Sequence, residues 1–115
     1  MDARNIKEQE IMGRAHIEVP KEKLQHFCRQ WNIQELSLFG SVLRDDFKPE
    51  SDIDVLVTFA QDSDHTLFDL VRMGKELESI FNRHVDLVSR RGVEMSRNHL
   101  RRQAIMDSAE TVYAA

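Results

Sequence analysis

The sequence predicts an α/β domain, a short mixed β-sheet of three to four strands covered by helices. Apolar residues recur at helical spacing over about 21–32 and about 67–82. Three short runs of strand character stand at 36–39, 52–59 and 85–88. Helical and strand-like segments alternate along the chain, the order of a sheet layered with helices. A chain of 115 residues holds one modest core rather than two. Residues 1–18 are read as an N-terminal arm or weak helix, and 19–115 as the single domain.

Pro20 offers a helix start at the first helical position. Leu24, Phe27, Cys28 and Trp31 follow at i, i+3, i+4 and i+7, the stripe of an amphipathic helix. Leu36 and Leu38 then alternate with Ser37 and Phe39 in a strand that ends at Gly40. Ser41 caps a short helix through about Asp46, and Lys48-Pro49-Glu50-Ser51 is a returning turn. Over 52–59, Ile53, Val55, Val57 and Phe59 share one face, and Asp52, Asp54, Leu56 and Thr58 share the other. Thr66 to Asp69 reads as a capping box. It opens a helix whose stripe is Leu67, Leu70, Val71, Leu77, Ile80 and Phe81. Val85 to Val88 is the third strand. Residues 93–114 read as mostly helical, with Leu100, Ala104, Ser108, Ala109 and Val112 on one side.

Sixteen basic and 20 acidic side chains leave a formal charge of −4, so no global attraction to nucleic acid or anionic membrane is expected. The charges are unevenly placed. Six arginines lie between Arg83 and Arg102 against only Asp86 and Glu94, while acids gather between Asp45 and Asp69. A solvated helix face, a partner-binding face and an RNA-facing surface all suit those arginines. The single cysteine, Cys28, excludes an intramolecular disulfide and reads as a core filler in a reducing compartment. No apolar stretch approaches the roughly 20 residues of a membrane-spanning helix. The start of the chain lacks the apolar centre of a signal peptide. A soluble, cytoplasmic protein is expected.

The chemistry concentrates in one constellation: Gly40-Ser41, ten residues, then Asp52-Ile53-Asp54. Carboxylates are depleted in strands and costly to bury unpaired. Two of them inside a β-branched run call for a compensating cation, and oxygen ligands suit Mg²⁺ when phosphates complete its shell. Alternate strand residues share a face about 6.5–7 Å apart, so Asp52 and Asp54 can bracket one or two ions. Gly40 lets backbone approach a phosphate closely, and Ser41 offers its hydroxyl and the amides that follow. Asp86, on the third strand and turned from the Val85/Leu87 side, can join the pair as a second-metal ligand or proton acceptor. His84, beside it, is read as facing the other side of the sheet. None of the five histidines has metal-ligand spacing with another or with Cys28. The chemistry suggested is phosphoryl or nucleotidyl transfer.

The stretch Leu38-Phe39-Gly40-Ser41 through Asp52-Ile53-Asp54-Val55-Leu56-Val57 resembles the minimal nucleotidyltransferases of the DNA polymerase β-like superfamily, whose pattern is G-S-x₁₀-D-x-D. Leu67-Phe68-Asp69-Leu70, Arg83-His84-Val85-Asp86-Leu87-Val88 and the Arg-rich end closing at Val112-Tyr113 extend the likeness over about 20–113. The resemblance implies the small nucleotidyltransferase fold. It makes Gly40 and Ser41 binders of nucleotide phosphates, and Asp52, Asp54 and Asp86 ligands of Mg²⁺ and catalytic carboxylates. Arg44 matches the family arginine that touches nucleotide or acceptor; an ion pair with Asp45 or Asp46 is its other reading. Family members often carry Gly where Asp45 stands.

Small proteins of this type are commonly the antitoxin partner of a HEPN-domain RNase toxin. The resemblance implies Mg²⁺-dependent transfer of AMP from ATP to a toxin tyrosine. Two further readings stand beside that one: an antitoxin acting by contact alone, and a nucleotidyltransferase acting on RNA or a small molecule. Nucleic acid is not the expected direct target.

Overall fold

A computed structural model of the chain describes residues 17, 19–43, 51–61 and 63–115. Its elements are α1 (Lys21–Gln30), β1 (Ile33–Phe39), a 3₁₀ turn (Gly40–Leu43), β2 (Ile53–Phe59), α2 (Leu67–Phe81), β3 (Val85–Ser89), α3 (Arg90–Glu94), α4 (His99–Ser108) and β4 (Glu110–Ala114). The sheet runs β3-β2-β1-β4. β1 is antiparallel to both of its neighbours, and β2 and β3 are parallel. The mixed α/β architecture is the predicted one. The expected extension of the short helix to Asp46 lies outside the described residues, as does most of the N-terminal arm.

The two faces of β2 separate as its alternation requires. Ile53, Val55 and Val57 join Leu36 and Leu38 under α1 and α2, against Leu24, Phe27, Cys28, Met73, Leu77 and Phe81. Leu56 faces the opposite side, where Phe39, Val93 and Ile105 form a second, smaller cluster. Cys28 is a buried free thiol, and burial pushes its pKa up to about 12, as befits a core filler. Trp31 closes α1 rather than sinking into the core. Its Nε1 donates to Glu76 Oε1 at 3.1 Å, and the Arg72 guanidinium lies 5.6 Å from its ring centroid.

Helix α2 begins at the predicted capping box. The Asp69 amide donates to Thr66 Oγ1 (3.2 Å), and the Thr66 amide donates to Asp69 Oδ2 (3.0 Å). Asn82 ends the helix in the left-handed region, its amide returning to the Glu78 carbonyl. The buried stripe is Met73, Leu77 and Phe81, so the expected stripe is partly corrected. Leu67 and Val71 stay exposed because the helix meets the sheet over its C-terminal half. The Thr66 amide holds the Asp69 carboxyl below the usual carboxylate range, helped next by the Thr66 hydroxyl and Arg72. A depressed folded pKa adds stability above the unfolded value and loses it as pH falls through the folded one. Thr66→Ala removes the hydroxyl that accepts the Asp69 amide and should lower the melting temperature. Asp69→Asn removes the titrating carboxylate, so its gap from wild type should narrow in acid, as pH-dependent thermal melts would record.

The reading of 93–114 as one helix is also corrected. The segment breaks into α3, α4 and β4. Leu100, expected on the buried side, is 85% exposed, and Ile105 is the residue α4 buries. Thr111-Val112-Tyr113 is β-branched and aromatic, and it pairs along the open edge of β1 with Tyr113 opposite Leu36. Thr111 Oγ1 donates to Glu35 Oε2 at 2.8 Å, fixing that edge. Two of the arginines in this region have structural partners. Arg90 Nε donates to Thr58 Oγ1 (3.1 Å), and Arg102 Nη1 donates to the carbonyls of Glu94 and Ser96 (both 3.2 Å). Arg90 thus ties α3 to β2, and Arg102 ties α4 to the end of α3, which weakens the RNA-facing reading.

Candidate active site

One end of the sheet gathers the residues singled out in the sequence. β1 runs toward it and stops at Phe39, which lies opposite Asp54 of β2. β2 and β3 both start there, and their register sets Asp54 directly beside Asp86. Neighbouring strands are about 4.8 Å apart, so two carboxylates stand side by side on one face. That face is the one carrying Leu56, as strand alternation requires. Like charges directly opposite are destabilising unless a cation or donor intervenes.

Gly40 joins this pair from the end of β1. Its φ is +77°, in the left-handed region, and a Cβ there would collide with the Asp54 carboxylate. Glycine is thus required twice over at this position, for backbone conformation and for space. The carboxylate of Asp54 packs into the room that the missing side chain leaves. Val42, fully buried, pins the 3₁₀ turn to the main core, so half-buried Ser41 is held on a fixed scaffold. Arg44 lies outside the described residues.

Asp52 precedes the first residue of β2, and its side chain is 54% exposed. His84 stands next to it, with Nδ1 3.3 Å from Asp52 Oδ1. This corrects the expectation that His84 faces away. Residues 84 and 86 are two apart at the start of a strand, so they share a side. The same contacts reveal two positions the sequence reading passed over. Arg83 Nη1 donates to the Ser51 carbonyl at 3.3 Å, steadying the residue before Asp52. Glu78 Oε2 accepts the Val85 amide at 3.3 Å, anchoring the start of β3. Their roles are not legible in the sequence, because the main-chain atoms they hold lie 32 and 7 residues away.

The donor chemistry is that of a hard cation: carboxylate oxygens from two adjacent strands, with Gly40 shaped to one of them. Among the described residues, no three His, Cys, Asp or Glu side chains are gathered closely enough to enclose an ion as they stand. What the fold fixes is the backbone platform, with Asp54 and Asp86 paired and Asp52 one step outside. Beyond Asp86 on the same face, Val88 opens onto a groove of about 290 Å³ lined by Val93, Arg101 and Ile105. Among the described residues no helix is long and apolar enough to cross a membrane.

Comparison with known proteins gives the family and the fold. The family model of the nucleotidyltransferase domain matches residues 20–112. A relative from Methanocaldococcus jannaschii named a putative protein adenylyltransferase is 36% identical over 69 residues, 60% of this chain and 72% of that protein. A solved structure of a putative minimal nucleotidyltransferase superposes with a TM-score of 0.61 at 27% identity, covering 96% of this chain and 95% of its own. A toxin–antitoxin crystal structure with AMP-PNP gives 0.64 at 20% identity, covering 84% and 75% of the two chains. A complex of a tri-AMPylated Shewanella oneidensis HEPN toxin with its MNT antitoxin gives 0.56 at 21%, covering 83% and 70%. At those last two identities the likeness is one of fold.

Proposed function

We propose that this chain, which belongs to the nucleotidyltransferase domain family, transfers AMP from ATP to a tyrosine hydroxyl of a partner HEPN-class RNase toxin, and so acts as its antitoxin in the cytoplasm. The observation that carries the reading is the in-register pairing of Asp54 with Asp86 against Gly40. Adenylyl transfer needs carboxylates held side by side near the triphosphate, and the pairing of Asp54 with Asp86 supports that arrangement. The name of the archaeal relative supports a protein acceptor. The modified toxin in the Shewanella complex supports AMP as the group transferred.

In this reading Asp52, Asp54 and Asp86 would hold Mg²⁺, which when bound neutralises charge on the triphosphate and the developing phenolate. Gly40 makes room for the Asp54 carboxylate and sets the turn from which Ser41 gives the phosphates its hydroxyl. Arg44 contacts nucleotide or acceptor. Asp86 accepts the phenol proton as the tyrosine oxygen bonds to the α-phosphorus. The bond from that phosphorus to the bridging oxygen breaks, and pyrophosphate leaves. A single domain over 19–115 carries all of these roles.

The test is intact mass of the co-purified partner before and after ATP with Mg²⁺. Wild type should add one AMP moiety per event. Mg²⁺ plus a nonhydrolysable ATP analogue should also raise the melting temperature, as a native-state ligand does. Asp52→Asn/Asp54→Asn should lose both the added mass and the shift. A complex that neutralises the toxin with no added mass would replace this reading with contact alone.

A further inference from the structure

We propose that His84 is a positioning residue for Asp52, a role resting on the reading of Asp52 as a ligand of the cation beneath ATP. Asp54 is embedded in the ladder, between Phe39 on one side and Asp86 on the other. Asp52 is not. It stands before β2 begins, half in solvent, where no strand pairing fixes its side chain. A ligand so placed loses orientational freedom on binding an ion, and that loss weakens the site.

His84 supplies what the ladder does not. The Ile53 amide donates to the His84 carbonyl at 3.0 Å, which locks the two strand starts together at this level. The His84 ring crosses the same gap, with Nδ1 3.3 Å from Asp52 Oδ1. Its other nitrogen lies 3.7 Å from Glu78 Oε2, the atom that also accepts the Val85 amide. The imidazole is thus set between a helix carboxylate anchored to β3 and the outermost carboxylate of the site. A proton on Nδ1 would let the ring engage Oδ1 and leave Oδ2 for the ligand. Partners of this outer kind commonly change metal affinity by about 10–100-fold. The ring is 68% exposed, so it adds little to the core, and its loss should leave the fold standing.

The experiment is Mn²⁺ binding by calorimetry in the presence of a nonhydrolysable ATP analogue, on wild type, Asp52→Asn, His84→Ala and His84→Asn. His84→Ala should bind Mn²⁺ about tenfold more weakly than wild type. Its metal-free melting temperature should be unchanged. His84→Asn places an amide N–H where Nδ1 stood and should recover most of the affinity. If Asp52→Asn weakens Mn²⁺ binding while His84→Ala matches wild type, the positioning role is overturned and the ligand reading stands. If His84→Asn is as weak as His84→Ala, donation to Asp52 is overturned. If Asp52→Asn itself binds Mn²⁺ as wild type does, the ligand reading fails, and His84 has no site to position.

Discussion

On the proposed function, Asp86→Asn should leave the partner toxin bound and unmodified. The substitution keeps the size and shape of the side chain and sits at the exposed start of an edge strand, so the sheet and any docking surface should survive it. What it removes is a charge beside Asp54 and a group able to take a proton. A phenol with an unperturbed pKa of about 10 is a poor nucleophile until something draws its proton away. General base catalysis contributes on the order of 10²–10⁴ in rate, and AMP transfer should fall by that much. Two measurements on one sample decide it: complex formation by size exclusion, and intact mass of the toxin after ATP and Mg²⁺. Binding kept with modification lost supports catalysis. If the variant protects cells as well as wild type, neutralisation by contact becomes the better account.

That prediction draws on a feature which only pairing reveals. The sequence tells that Asp86 lies on a strand and turns from the core, because Val85 and Leu87 alternate with it. It does not tell which strand is the neighbour or in what register. The parallel pairing of β2 with β3, which puts Asp86 beside Asp54 rather than beside Asp52, is a tertiary fact. The Gly-Ser step and the Asp-x-Asp spacing were legible for the opposite reason, since their geometry is local. A strand end, a left-handed glycine and a two-residue alternation are each written within a few residues.

Where local signals misled, a tertiary contact had overridden them. Glu110 to Ala114 can continue a helical stripe from α4, yet the free edge of β1 captures it as β4. Leu67 and Val71 belong to the apolar stripe of α2 by spacing, but the sheet does not reach far enough to cover them. His84 shows a third case. Its parity with Asp86 was readable, but the value of the position depends on Asp52 lying across the strand gap.

Gly40→Val should be the most damaging single change at the phosphate side of the site, and its cause can be separated into two parts. The backbone part comes from φ +77°, a conformation that costs an L-residue about 1–2 kcal/mol and a β-branched one more. The steric part comes from the Asp54 carboxylate, which would meet the new Cβ. Either the turn shifts, carrying Ser41 with it, or Asp54 swings off its platform. ATP binding by calorimetry should weaken at least about 100-fold, against roughly tenfold for Ser41→Ala, which deletes one hydrogen bond to an anion. Gly40→Ala isolates the mechanism with less risk to folding. Its thermal destabilisation should be partly relieved in Gly40→Ala/Asp54→Ala, because the second change removes the colliding carboxylate while leaving the backbone term in place. Contacting residues of this kind show coupling of about 0.5–3 kcal/mol in a double-mutant cycle. Strict additivity of the two changes would show that Asp54 does not fill the space beside Gly40. ATP affinity unchanged in Gly40→Val would remove this turn from the nucleotide site altogether.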